Sequence, residues 1–183
     1  TEYNMGRTHW RQIQWGRIVW SDEARFCRVR VWRERGQRCR QDLVVPTVQC
    51  RGGSVLLLGA ITTDGCFFLF VDGIVSAQKY VQILQVMHDN IGGQFPENRT
   101  FMDDNAPVHR VQIVVDFKRD HGIHSLPWHA HSPDLNPIEH VWDYLGRRVR
   151  SRGEARSLQQ LSVWLTEECQ VIPQDVMDNL ITS

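Results

Sequence analysis

The sequence opens with three stretches of strand character, after which helical and strand-like stretches alternate. The first stretch covers residues 16–32, and the other two lie within 54–73 on either side of a turn at 63–65. Apolar and polar positions alternate there among β-branched and aromatic residues, which indicates β-strands. Strands that alternate with helices after an initial meander predict an α/β fold with a mixed central sheet flanked by helices.

The later elements carry their own signals. Tyr80, Leu84 and Met87 recur at helical spacing over residues 76–91, and Ser76 is a candidate N-cap. Three more helices are predicted over residues 108–122, 132–152 and 157–172, with strands at residues 100–104 and 123–128. In open sheets of this kind, ligands gather at the carboxyl ends of the strands.

The organisation along the chain follows from these elements. We assign residues 1–16 to a linker or short helix, 17–152 to the core, and 153–183 to a C-terminal helical extension. The longest apolar runs are too short to span a bilayer and no signal peptide precedes them, which predicts a soluble intracellular protein. Because there is no initiator methionine, we expect a fragment of a longer chain. Five cysteines without a CxxC pair favour reduced thiols over disulfides or a thiolate zinc site.

Charge is unevenly distributed although the formal net charge is zero. Residues 1–51 contain 11 basic and 5 acidic side chains, and residues 147–156 contain 5 basic and 1 acidic. Arginine supplies 19 of the 21 basic side chains, and its planar fork suits bidentate phosphate contacts. A neutral net charge therefore does not exclude a nucleic-acid partner that meets particular patches. The arginine content could also reflect the base composition of the gene.

Two adjacent acids, Asp103 and Asp104, end the short apolar segment at 100–104, and Asn105 follows at once. Neighbours on a strand face opposite sides, so only one of the two acids can face a given site. Their position at the rim of a strand is compatible with a solvated turn or with a metal site.

A third acid, Asp22, lies inside the first predicted strand between Trp20 and Phe26. Aspartate is a poor strand former, so this position needs a reason. A β-bulge or an exposed edge would supply one, and a metal site would supply another. The next acid, Glu23, faces the opposite side, and we expect it to be solvated.

A fourth acid, Glu139, lies in the first turn of the helix predicted over 132–152. Ser132 or Asp134 could cap this helix, and Pro137 suits its first turn. An acid at that position could simply complement the helix dipole. Glu139 borders the apolar stripe of this helix, however, and could reach towards the sheet. The stripe recurs at helical spacing and is expected to be buried, and its members are Leu135, Ile138, Trp142, Leu145 and Val149.

Two aspartates on strands and one glutamate on a later helix can together hold a pair of Mg²⁺ or Mn²⁺ ions. Hard oxygen ligands suit those cations. Two such ions about 4 Å apart activate an attacking water or 3′-hydroxyl and stabilise the leaving oxygen of a phosphodiester.

Three segments carry a family resemblance: VWSDEARF, MDDNAPVH and SPDLNPIEHVWDYL. They resemble the acidic motifs of Tc1/mariner transposases, in particular the Tc1-like branch. The 34 residues between Asp104 and Glu139 match the spacing that names the DD34E triad. The resemblance covers about residues 10–152, and the third motif is a long ungapped match, whereas each shorter motif alone is a weak signal.

The resemblance implies an RNase H-like catalytic core in which Asp22, Asp104 and Glu139 bind two Mg²⁺ or Mn²⁺ ions. It makes Asp104 the second acid of the triad and Asp103 secondary. It also implies hydrolysis at the ends of a transposon, followed by attack of the freed 3′-hydroxyl on TA target DNA. The expected partners are double-stranded DNA and a second copy of the chain, and the expected location is the nucleus.

Several basic residues are candidate DNA contacts, each with a plainer alternative. A loop of solvated arginines, or a DNA-contacting loop that in relatives helps join two subunits, would contain Arg33, Arg35, Arg38, Arg40 and Arg51. His109 could lie near a phosphate or cap the following helix. A phosphate track, or an ordinary solvated face, would contain Arg147, Arg148, Arg150 and Arg152.

The chain also departs from the family pattern. Leu58 stands where relatives often have tryptophan, and Gln49 stands where lysine is common. The paired helix-turn-helix domains of the family would lie before residue 1. A domesticated, catalytically silent module for DNA binding or dimerisation is therefore the alternative to an active transposase domain, although the three acids are intact. An RNase H-like nuclease with another substrate is a third possibility, which the DD34E spacing disfavours.

Overall fold

The computed structural model describes residues 15–28, 53–91, 99–127 and 136–182. The strands are β1 (Ile18–Cys27), β2 (Ser54–Thr62), β3 (Gly65–Val71), β4 (Thr100–Met102) and β5 (His124–Ser125). The helices are α1 (Ala77–Ile91), α2 (Gln112–Asp120), α3 (Pro137–Ser151), α4 (Leu158–Gln170) and α5 (Gln174–Thr182). A 3₁₀ turn at Pro107–Arg110 precedes α2.

The five strands form one mixed sheet in the order β3-β2-β1-β4-β5. Strand β2 is antiparallel to both of its neighbours, β1 and β3. Strand β4 runs parallel to β1, and β5 runs parallel to β4. The predicted α/β class with a mixed sheet is confirmed. Asp22 lies on β1, and Asp104 follows the neighbouring strand β4.

Each face of the sheet is covered by helices. On one face, Trp20 of β1 and Met102 of β4 form a core with Ile138 and Leu145 of α3. Helix α5 joins this same core, through residues that include Met177.

On the opposite face, Val19 and Phe101 pack against Tyr80 and Leu84 of α1 and Val114 of α2. Alternate residues of β1 and β4 thus enter different cores, as strand geometry requires. A smaller cluster joins the last turns of α3 to α4.

Several sequence predictions are confirmed at the level of single residues. Ser76 caps α1, because its Oγ accepts a hydrogen bond from the N–H of Lys79 at 3.2 Å. The turn between β2 and β3 lies where it was predicted. Trp142 is buried in the core, as its helical spacing indicated.

Other predictions need correction. Strand β4 ends at Met102, so Asp103 and Asp104 lie beyond it. The helix predicted over 108–122 is interrupted at Val111, whose backbone is extended. Helix α3 is capped by Asn136, which accepts a hydrogen bond from Ile138, whereas the expected caps at residues 132 and 134 lie outside the described residues. Helix α5 lies within the predicted C-terminal helical extension, but it was not predicted as a separate helix.

The cysteines also differ from expectation in part. Cys66 and Cys169 are free thiols, but Cys27 is disulfide-bonded, so the expectation of reduced thiols is wrong for Cys27. Within the described ranges, no helix has both the length and the apolar character needed to cross a bilayer.

Candidate active site

Asp22 lies in the middle of β1 and faces helix α3. The indole Nε1 of Trp142 donates a hydrogen bond to Oδ2 of Asp22 across 3.0 Å. The residue paired with Asp22 on the neighbouring strand β2 is Gly59. This strand position is neither a sheet edge nor a bulge, because β1 pairs continuously with β2 from Trp20 to Cys27.

Burial raises the pKa of Asp22 to about 7, against the opposing effect of the Trp142 hydrogen bond. The negative charge of Glu139 contributes to the same upward shift. Glu139 lies in the first turn of α3 and is partly buried. Two of the three predicted metal ligands, one on strand β1 and one on helix α3, are therefore close enough for their charges to interact.

Asp104 lies in the turn that follows β4. Its Oδ1 accepts a hydrogen bond from the N–H of Ala106 at 2.9 Å, and half of its side chain is exposed. The next residue, Asn105, has a left-handed backbone with φ of 62°, a conformation that asparagine tolerates better than most residues. The chain thus turns sharply at the end of the central parallel strand and leaves the Asp104 carboxylate accessible.

His109, in the 3₁₀ turn that precedes α2, contacts the carboxylate of Asp104. Its Nδ1 lies 3.0 Å from Oδ1 of Asp104, and its Nε2 lies 3.6 Å from Oε1 of Glu23. Neither nitrogen makes a well-aligned hydrogen bond with a described residue. The ring stacks on Tyr80 with centroids 4.1 Å apart.

The protonation of His109 follows from these neighbours. Burial alone would lower the pKa of His109, but the contacts with Asp104 and Glu23 outweigh it and raise this pKa to about 9. The same contact with His109 lowers the pKa of Asp104. Burial, with the nearby carboxylates, keeps the pKa of Tyr80 well above its ordinary value. Near neutral pH the site therefore contains a buried imidazolium beside an ionised Asp104.

Glu23 is a site residue that the sequence reasoning missed. It was expected to be solvated, but its side chain is only 21% exposed and faces His109. The alternation of β1 correctly placed it opposite Asp22. That face is covered, however, by α1 and the 3₁₀ turn, which the expectation of a solvated Glu23 did not take into account.

Asp103 belongs to the structural core beside the site. It forms a buried ion pair with Lys118 of α2, whose ammonium also donates to Oγ of Ser125 at 3.3 Å. Its Oδ1 accepts a hydrogen bond from Asn105 at 3.2 Å, which helps to shape the turn that holds Asp104. The secondary role assigned to Asp103 is consistent with this arrangement, and its carboxylate is already neutralised by a lysine.

The donor set fits a hard divalent cation. In the described part of the chain, neither Asp22 nor Glu139 has an ion pair with a basic side chain, and their like charges repel each other. A cation bound between them would relieve that repulsion. Among the described residues, no three histidine, cysteine or acidic side chains lie close enough together to hold a metal ion. The assignment of the full triad stays a prediction.

The predicted DNA contacts fall into three groups. Five of them, Arg33, Arg35, Arg38, Arg40 and Arg51, lie outside the described residues. His109 has almost no exposed surface that could meet a phosphate. The remaining four lie on α3 and its C-cap: Arg147, Arg148, Arg150 and Arg152.

The four arginines near the end of α3 differ in their partners. Arg148 and Arg152 both contact the buried carboxylate of Glu168 on α4, Arg148 at 2.6 Å. Arg147 pairs on the surface with Asp143, and Arg150 lies 3.9 Å from the same carboxylate. The first two arginines join α3 to α4, whereas the other two interact with Asp143 on their own helix.

Comparison with known proteins identifies the family. A sequence model of the family described as DDE superfamily endonuclease matches residues 17–162. The transposable element Tc1 transposase of Caenorhabditis elegans is 32% identical over 95% of this chain and 66% of its own length. The transposable element Tcb2 transposase of Caenorhabditis briggsae is 30% identical over 96% of this chain and 67% of its own length. The chain thus spans about two thirds of the length of these relatives.

Solved structures share the fold. The Mos1 transposase catalytic domain with raltegravir and Mg matches with a TM-score of 0.72 and 21% identity, over 98% of this chain and 81% of that chain. The pre-cleavage Mos1 transpososome matches with a TM-score of 0.76 and 22% identity, over 98% of this chain and 56% of that chain. The central sheet and its flanking helices are therefore an RNase H-like fold, as expected. By sequence and by fold, the chain belongs to the DDE superfamily endonucleases and is homologous to the catalytic domains of Tc1/mariner transposases.

Proposed function

We propose that this chain is the catalytic domain of a Tc1-like cut-and-paste DNA transposase. The observation that carries the proposal is the electrostatic interaction between Asp22 and Glu139, two acids 117 positions apart in number, neither of which has an ion pair with a basic side chain among the described residues. Asp104 follows β4, the strand next to β1, at its carboxyl end. The family resemblance implies a similar arrangement of three acids; here one lies on β1, one follows the neighbouring strand β4, and one lies on α3.

In this proposal, Asp22, Asp104 and Glu139 hold two Mg²⁺ or Mn²⁺ ions. Such ions, when bound, activate a water or a 3′-hydroxyl and stabilise the leaving oxygen of a phosphodiester. The residues of the chain itself orient the ligands: Trp142 holds one oxygen of Asp22, and His109 contacts Asp104. Relatives of this fold have been solved with Mg and with Mn, which supports the use of a divalent ion.

The proposed reaction has two stages. Hydrolysis at the transposon ends frees a 3′-hydroxyl, which then attacks target DNA at TA. The proposed partners are double-stranded DNA and a second copy of the chain, and the proposed location is the nucleus. Mos1 structures with the same fold include a paired-end complex and a strand transfer complex, which support a role on DNA.

A specific observation favours a second candidate, a domesticated module without catalysis. Asp104 is engaged by His109, and the described residues contain no assembled three-ligand metal cluster. A chain without a working metal site could bind DNA or dimerise without cleaving DNA. The three intact acids argue against this candidate.

The two candidates differ in metal-dependent cleavage. The chain is fused to a generic DNA-binding module and tested for nicking and strand transfer on a TA-containing plasmid with Mg²⁺ or Mn²⁺. Glu139→Gln, which removes one proposed ligand charge with little change in shape, is the matched control. Activity that disappears in the variant supports the transposase proposal. No activity in either protein, together with no Mn²⁺ binding by calorimetry, would favour the silent module.

A further inference from the structure

Trp142 occupies a space that a glycine on β2 leaves open. A Cβ atom on Gly59 would clash with Cη2 of Trp142, because the two atoms would lie closer than non-bonded carbon atoms can approach. Gly59 is also the residue paired with Asp22 across the sheet. Because Gly59 has no side chain, the indole of Trp142 fits against β2 directly beside Asp22 of β1.

Two phenylalanines fix the orientation of the indole. Phe26 of β1 and Phe68 of β3 contact the Trp142 ring edge to face, with centroids 6.2 Å and 5.8 Å away. Both geometries fall in the favourable range for aromatic pairs. An indole held on two sides, with its far edge against Gly59, has little freedom to turn its N–H away from Asp22.

We propose that Trp142 is the positioning residue for Asp22: its N–H fixes the carboxylate in the orientation that binds a divalent cation. This inference rests on the proposed function. The hydrogen bond takes up Oδ2, so the carboxylate cannot rotate freely. Oδ1 and the remaining lone pair of Oδ2 are left for the cation. Partners of this kind, which hold a metal ligand from outside, tune metal affinity by about 10–100-fold.

The test removes the N–H and keeps the shape of the ring. Trp142 is replaced by β-(3-benzothienyl)alanine, in which sulfur stands in place of the indole N–H. Mn²⁺ binding to the chain is measured by calorimetry at pH 8, and the melting temperature is measured without metal. We expect Mn²⁺ affinity to fall about tenfold. We expect the melting temperature to change little, because the aromatic contacts remain.

The same replacement at Trp164 is the matched control. Trp164 packs against the cluster between α3 and α4, and its replacement should leave Mn²⁺ affinity unchanged. As a second variant, Gly59→Ala places a methyl group against the indole and should weaken Mn²⁺ binding in the same direction.

Each outcome bears on the inference. If the Trp142 replacement binds Mn²⁺ as tightly as the unsubstituted chain, Trp142 only fills space and the inference is overturned. If the unsubstituted chain itself binds no Mn²⁺, the proposed function and the inference fall together. Weaker binding at position 142 with no change at position 164 supports the inference.

Discussion

The imidazole of His109 lies against the carboxylate of Asp104, with Nδ1 3.0 Å from Oδ1. The other ring nitrogen faces Glu23 of β1, and the ring plane rests on Tyr80. The buried imidazolium of His109 thus lies between the Glu23 carboxylate of β1 and the Asp104 carboxylate of the turn after β4. In the metal-free protein this imidazolium balances part of the negative charge that the proposed metal ions would otherwise balance.

The first prediction concerns the pH dependence of stability. A histidine whose pKa rises from 6.5 to about 9 on folding stabilises the protein fully below pH 6.5, and this contribution is lost as pH rises through 9. Between pH 7.5 and 9.5, we expect His109 to account for a loss of roughly 2 kcal/mol in the free energy of unfolding. Urea denaturation in the presence of a chelator measures it.

His109→Gln is the control for this prediction, because glutamine cannot carry the positive charge. Cys66 also has a pKa raised by burial and contributes a decline of its own at high pH. The difference between the two proteins is therefore the relevant quantity. Equal declines in both proteins would show that His109 is not charged in the folded state.

The second prediction concerns the pH dependence of metal binding. Burial and the nearby Glu139 raise the pKa of Asp22 to about 7, and a cation binds the ionised carboxylate. Mn²⁺ affinity should therefore be about tenfold weaker at pH 6 than at pH 8. Calorimetry at the two pH values measures this ratio, with Asp22→Asn expected to remove both binding and its pH dependence. A ratio near one would exclude Asp22 as a ligand that must lose a proton.

Sequence patterns predicted the sheet class and the faces of its strands, since these depend on periodicity along each segment. Alternation in β1 placed Asp22 and Glu23 on opposite faces, and the structure agrees. The burial of Glu23 could not be predicted in the same way, because its partner His109 lies 86 positions away and approaches through a turn. Contacts of that kind depend on how separate elements meet.

Trp142 shows the same limit at a single side chain. Helical spacing along α3 predicted that it is buried, which is correct. Its hydrogen bond to Asp22 depends on the space above Gly59, a residue on β2, and on the register that pairs Gly59 with Asp22. The register between two strands that are far apart in sequence cannot be predicted from either segment alone. The hydrogen bond between the Trp142 N–H and Asp22 could therefore be identified only from the assembled sheet.

The third prediction concerns the buried pair of Lys118 and Asp103, whose side chains are 8% and 6% exposed. Lys118→Met leaves the Asp103 carboxylate buried without its lysine partner. Because the His109 imidazolium lies 3.9 Å away and compensates part of the charge, the free energy of unfolding should fall by about 3 kcal/mol, the lower end of the range for a broken buried pair. The double variant with Asp103→Leu should recover much of this loss, because no unpaired charge remains. Chemical denaturation of both proteins measures the difference.

Lys79→Met provides the matched control, since these are the two lysines of the chain. The ammonium of Lys79 donates to a backbone carbonyl at Asp72 near the surface, so its loss should cost at most about 1 kcal/mol. Equal costs at the two positions would show that the Lys118 pair is not held in a low-dielectric core.

The last prediction separates the arginines near the end of α3 by function. Arg147 and Arg150 lie at the surface beside Asp143, whereas Arg148 and Arg152 contact the buried Glu168. Replacing Arg147 or Arg150 by alanine should weaken non-specific DNA binding and reduce the slope of log affinity against log salt by about 0.9 for each phosphate that the variant no longer neutralises. Fluorescence anisotropy with duplex DNA at several salt concentrations measures the slope.

The matched change at Arg148 should instead lower the melting temperature, because Glu168 stays buried without that partner. An unchanged slope for Arg147→Ala and Arg150→Ala would remove this face of α3 from the proposed DNA contacts.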